Sequence, residues 1–145
     1  MKDQMADVRA MLSILLVEDN LGDVFLVREA LREAGFPHVL HVVRDGDAAL
    51  AFLRAQPAEG EQAKPDLIIL DLNLPGKNGR QVLAEMQGEP RLRDLPVAVL
   101  STSHSESNVG KDFPSIRSTF AAKTPSFRKL VEIVRQFNEF AMASD

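Results

Sequence analysis

The sequence predicts an α/β chain, a (βα)5 doubly wound sandwich built on a parallel five-stranded sheet. Two observations carry that expectation. Short apolar runs alternate five times with stretches of helical periodicity, and strands that are apolar throughout need helices on both faces of a parallel sheet. The second candidate strand, His-Val-Leu-His-Val-Val, alternates instead and carries polar groups, as suits an edge. Crossovers between parallel strands are right-handed on general grounds.

Taken in order, Ile14-Leu15-Leu16-Val17 is a wholly apolar strand that stops at Glu18 and Asp19. Over residues 23–34, Val24, Val27, Leu31 and Ala34 recur at helical spacing, and Gly35 follows as a terminator. Residues 38–43 read as strand two and 47–54 as helix two. The polar connector AQPAEGEQAKP leads to strand three, 66–70, then helix three, 78–87, and strand four, 97–100. A fourth helix falls within 105–117, weakened by Gly110 and Pro114. Residues 120–122 form strand five. Thr124 and Pro125 are expected to cap and start a last helix from 126 to about 141. The regular pattern begins near Ser13, so residues 1–12 are expected to be an N-terminal extension and 13–145 one domain.

Composition narrows the function. The 145 residues are 45% apolar and 26% charged, globular values. With 17 basic against 21 acidic side chains the net charge is −4, which gives no basic surface for nucleic acid. Cysteine is absent, so no disulfide or thiolate metal site is expected, in keeping with a reducing compartment. No apolar stretch is long enough to span a bilayer, and the N-terminus lacks a secretory pattern. A cytoplasmic protein is expected.

In a doubly wound sheet, ligands gather beyond the carboxyl ends of the strands. Strand one ends in Glu18-Asp19, strand three in Asp71, strand four in Ser101-Thr102 and strand five in Lys123. Two carboxylates about 4 Å apart repel by roughly 4 kcal/mol at an effective dielectric near 20, so three together call for a proton or a cation. A hard divalent ion such as Mg²⁺ suits Asp19, Asp71 and the carbonyl of Asn73, with Glu18 acting through water. His38, His41 and His104 show no zinc-ligand spacing. Lys123 and Ser101 would suit the oxygens of a phosphoryl group carried by Asp71 as nucleophile. Each residue alone has a plainer explanation, as a turn former, a helix cap or a solvated lysine. All of them at one end of four strands is the stronger signal.

These residues closely resemble the response-regulator receiver domains, from about Ser13 to Ala141. The family pattern is an acidic pair after strand one (Glu18, Asp19), a phospho-accepting Asp after strand three (Asp71, in ILDLNLPGKNG), a Ser or Thr after strand four (Ser101) and a Lys after strand five (Lys123). The resemblance implies the flavodoxin-like strand order 2-1-3-4-5, Mg²⁺ as cofactor, a sensor histidine kinase as phosphoryl donor, and a switch rather than a conventional enzyme. It also implies that the domain promotes its own phosphorylation and dephosphorylation. VEDNLGDVFLVREAL and DLNLPGKNGRQVLAEM look like stand-alone regulators of phytochrome-type kinases, implying a bacterial red-light pathway.

Some positions depart from the family pattern. The aromatic switch is Phe120, without the hydroxyl of the frequent Tyr. Thr124 separates Lys123 from Pro125, and Thr102 is larger than the usual small residue beside Ser101. Thr102 is expected to screen the acyl phosphate from water. Ile116 replaces a small residue before strand five.

No output domain is expected after the last helix, so the signal would leave through a surface. On that helix Phe127, Leu130, Val131, Ile133, Val134, Phe137, Phe140 and Ala141 cover about half the circumference, wider than the ~100° stripe one core needs. A homodimer contact through Ile133, Phe137 and Phe140 is therefore expected. Three other functions compete. One is a pseudo-receiver that binds a partner without phosphorylation. Another is a hydrolase using Ser101 or Ser103 with His104, which lacks a nucleophile elbow. The last is a nucleotide binder, which lacks a glycine-rich loop after strand one.

Overall fold

The structure, a computed structural model, describes residues 11–56, 64–102 and 108–143. Most of the expected N-terminal extension, the middle of the polar connector, and Ser103 and His104 lie outside them. The strands are β1 (Leu12–Val17), β2 (His38–Val43), β3 (Leu67–Leu70), β4 (Val97–Ser101) and β5 (Ser118–Ala122). The helices are α1 (Leu21–Ala34), α2 (Gly46–Ala55), α3 (Gly79–Gln87), α4 (Val109–Asp112) and α5 (Phe127–Met142). All strand pairs are parallel, in the order β2-β1-β3-β4-β5, which is the doubly wound architecture expected.

Period-two alternation divides the core between the two faces. Leu15, Val17, Ile68, Leu70, Val97 and Val99 face α2, α3 and α4. Ile14, Leu16, Leu67, Ile69, Ala98 and Leu100 face α1 and α5. The central strands β1, β3 and β4 are buried almost throughout, while β2 and β5 at the edges are only half covered. Among the described residues no helix is long and apolar enough to cross a membrane.

Helix starts are set by side-chain caps at the carboxyl end of the sheet. Asn20, Asp45 and Asn78 accept backbone N–H groups of α1, α2 and α3, and Asn78 with Gln81 forms a capping box. The α5 cap differs from expectation. Ser126, not Thr124, accepts the Lys129 N–H at 3.2 Å, while the Thr124 hydroxyl accepts the Ser126 N–H at 3.1 Å. Pro125 therefore sits in the turn rather than in the helix. α1 ends as its sequence indicates, on Gly35 in the left-handed region at φ +83°.

One expectation holds and another needs correction. The fourth helix is a single turn, because Gly110 and Pro114 leave few residues that favour a helix between them. Ile116 nevertheless reaches the core. On α5, Phe137 is 3% exposed and packs against the sheet, so it is core and not available to a second copy. Ile133 and Phe140 stay half-buried at the margin of the same cluster. The broad apolar arc arises because α5 packs on both α1 and the sheet.

Gly46 opens α2 against the loop that follows β3. A methyl group there would collide with the Lys77 carbonyl oxygen and lie 2.9 Å from Val82 Cγ2. Gly46→Ala should lower stability by about 1–3 kcal/mol through overpacking, read as a lower urea midpoint at unchanged slope.

Candidate functional site

The polar residues at the sheet end are held by the backbone ladder itself. The Glu18 N–H donates to the Val43 carbonyl at 3.0 Å, the Asp71 N–H to Val17 at 3.1 Å, and the Lys123 N–H to Ser101 at 2.8 Å. Each side chain thus leaves a residue that is still hydrogen-bonded to a neighbouring strand, which fixes its origin without reliance on a flexible loop.

Lys123 gathers the site. Its ammonium donates to Glu18 Oε1 at 2.8 Å, Asp23 Oδ2 at 2.8 Å and Asp71 Oδ2 at 3.2 Å. The Lys123 side chain is 17% exposed, and those of Glu18 and Asp71 only 3% and 8%. Burial alone would lower the lysine pKa, but the bonds to Asp23 and Glu18 and the charges of Asp71 and Glu18 outweigh it and hold the ammonium protonated. Burial pushes Glu18 the other way, up to about 8, aided by the adjacent Asp71 carboxylate and opposed by Lys123. Asp23 is raised by burial yet ends below the usual carboxylate range, because hydrogen bonds with Lys123 and Glu18 and the lysine charge favour its ionised form.

The remaining expected residues surround this centre. The Asn73 N–H donates to Asp71 Oδ1 at 3.1 Å, and the Asn73 amide donates to Thr102 Oγ1 at 3.3 Å. These bonds link the loop after β3 to the end of β4. Ser101 is fully buried beside the site. Phe120 is half-buried against the face that carries α2, α3 and α4. Asp19 lies on the rim with its side chain 51% exposed, 3.9 Å from Arg44. Glu18, Asp71 and Lys123 are thus in contact, and Asp19 lines a shallow depression together with Asn73.

Asp23 is the residue that sequence reasoning missed as part of the site. In the sequence it reads as the start of a helical stretch. The available signal is its place in the first turn of a helix that begins directly beyond the acidic end of β1.

A divalent cation can be tested against this donor set. Among the described residues no three carboxylates or histidines converge into a ready-made cage, since Lys123 already lies between Glu18, Asp23 and Asp71. The chemistry still fits. Every available donor is oxygen, and Glu18 Oε2 is buried with no hydrogen-bond partner, a state that costs about 1–3 kcal/mol unless satisfied. Two carboxylates, a carbonyl and retained waters are what Mg²⁺ accepts.

Residues 14–135 match the response regulator receiver domain family. Response regulator Rcp1 of Synechocystis sp. is 42% identical over 88% of this chain and 86% of its own length. Among solved structures, the phosphorylated cyanobacterial phytochrome response regulator RcpA is similar with a TM-score of 0.76 and 41% identity, covering 94% of this chain and 97% of that one. The Mn(2+)-bound form of Rcp1 aligns with a TM-score of 0.72 and 39% identity, over 89% and 93% of the two chains.

Proposed function

Because the chain belongs to the response-regulator receiver family, we propose that it is a phosphorylation switch whose acceptor is Asp71. The observation that carries this reading is the Lys123 ammonium shared between Asp71 and Glu18 at the end of the sheet. An oxygen of Asp71 forms a bond to the incoming phosphorus while the bond from phosphorus to the donor's leaving atom breaks, its electron pair departing with the donor. The product is an acyl phosphate, whose added charge Lys123 offsets. Ser101, buried at the end of β4, offers a hydroxyl to a phosphoryl oxygen, and its movement would let Phe120 turn inward.

Glu18, Asp19, Asp71 and the Asn73 carbonyl are the groups that would hold Mg²⁺. When bound, that ion supplies positive charge where phosphoryl oxygens gather. This chain's residues do the rest. Asp71 is held by the Asn73 N–H, and Thr102, tied to Asn73, stands where it would limit access of water to the acyl phosphate.

The similarity to the phytochrome response regulator RcpA supports a phytochrome-type sensor histidine kinase as donor; a cytoplasmic location is part of the same proposal. A homodimer through the α5 edge would use the half-buried Ile133, with Phe140 beside it under the Arg117 guanidinium, and without Phe137.

Incubation with acetyl phosphate and Mg²⁺ should add one phosphoryl group by intact mass, absent in Asp71→Asn and absent without Mg²⁺. No adduct, together with no stable beryllofluoride complex, would favour a pseudo-receiver instead. Thr102→Ala should lose the phosphoryl group faster than wild type; an equal or slower loss removes the screening role. Ile133→Glu, checked for folding by circular dichroism, should sediment as a monomer. A dimer unchanged by it would place the contact elsewhere.

A further inference from the structure

Lys123 has three N–H donors and no acceptor, and three carboxylates take them: Glu18 and Asp23 at 2.8 Å and Asp71 at 3.2 Å. The two shorter contacts come from the β1–α1 side of the site, and the longest leads to the candidate acceptor. We infer that Asp23 is a positioning residue for Lys123, holding one N–H of the ammonium so that another stays aimed at Asp71. The inference deepens the switch function proposed above and rests on it for its catalytic consequence.

The placement of Asp23 is itself constrained. Its N–H donates to Asn20 Oδ1 at 2.9 Å, and the next residue, Val24, donates to the Asn20 carbonyl at 3.0 Å. Asp23 therefore belongs to a capped first turn rather than a free loop. Its side chain is 35% exposed, against 17% for Lys123, so Asp23 closes the solvent-facing side of the ammonium.

A second reason concerns what changes at Asp71. Once one oxygen of that carboxylate is phosphorylated, the carboxyl group loses its charge and its remaining oxygen becomes a weaker acceptor. The N–H that faced it can then swing to a phosphoryl oxygen without a large movement of Nζ, provided that the other two bonds hold. With Asp23 removed, a free N–H turns to water and the ammonium loses one of three points of attachment. Asn keeps an oxygen that can accept from the ammonium but lacks the carboxylate charge, so Asp23→Asn is a milder lesion than Asp23→Ala.

The contact can be read without phosphorylation, from the lysine ammonium ¹H–¹⁵N resonances of the full chain. A hydrogen-bonded Lys123 should give an exchange-protected signal, identified by its loss in Lys123→Gln, which disappears in Asp23→Ala while the backbone spectrum stays folded. A Lys123 signal unchanged in Asp23→Ala overturns the inference whether or not Asp71 accepts phosphate. The functional arm is a double-mutant cycle with acetyl phosphate and Mg²⁺. Asp23→Ala should slow phosphorylation by roughly three- to tenfold, with Asp23→Glu restoring part of the rate. In the Lys123→Gln background the same change should have no further effect. Equal slowing in both backgrounds would make Asp23 a structural residue of α1 and overturn the positioning role.

Discussion

The arrangement depends on one electrostatic constraint, the crowding of carboxylates at the carboxyl end of a parallel sheet. Glu18, Asp23 and Asp71 approach one another only because the Lys123 ammonium stands among them. In a water-exposed setting such contacts would contribute little. Here Glu18 and Asp71 are buried, so removal of the cation would leave buried carboxyl groups without their counter-charge, the costly case. Glu18 shows the tension directly: its pKa is pushed up to about 8 even with the lysine present. Burial thus strains the charges of the site, which makes it receptive to an event that rearranges them.

What permits this is the rigidity of the platform. β1, β3 and β4 are buried on both faces, and the backbone ladder runs one residue past the ends of β1, β3 and β5, out to Glu18, Asp71 and Lys123. The loop after β3 is held from the other side. Lys77 pairs with Asp47 at 3.3 Å and with Glu85, and Arg54 pairs with Glu85 at 2.9 Å and with Glu89. Exposed pairs of this kind contribute little stability individually. Their effect is geometric, because they join α2, α3 and the loop beside Asp71 into one surface, with Gly46 allowing the close approach.

The central strands and the identity of Glu18, Asp71 and Lys123 were legible because both signals are one-dimensional. A continuous apolar run marks a buried strand, and the residue that follows it must lie at the sheet end. Other features depend on where a helix turns. Asp23 reads in sequence as an ordinary first-turn acid, and only the meeting of α1 with β5 across the sheet gives it a cation. Phe137 reads as surplus apolar area on α5 until the helix is seen to pack on both α1 and the sheet. Ser126 and Thr124 are both acceptable caps by type, and the choice between them is made by the turn through Pro125. At α4 the sequence did announce weakness in Gly110 and Pro114, and one turn of helix is what survives.

The same geometry argues about how a signal would travel. Lys123 stands directly after β5, which is half covered and lies at the sheet edge beside the short α4. Its ammonium is tied to α1 through Asp23 and to the sheet centre through Asp71. A change of charge on Asp71 would therefore act through Lys123 on a half-covered edge strand, where little packing has to be broken for β5 to shift. α1 and α5, with their buried rows of Val24, Val27, Leu31, Leu130, Val134 and Phe137, lie on the opposite face and resist displacement. Packing thus bears on direction: the β5 edge beside a single turn of helix would yield more readily than the face braced by two long helices.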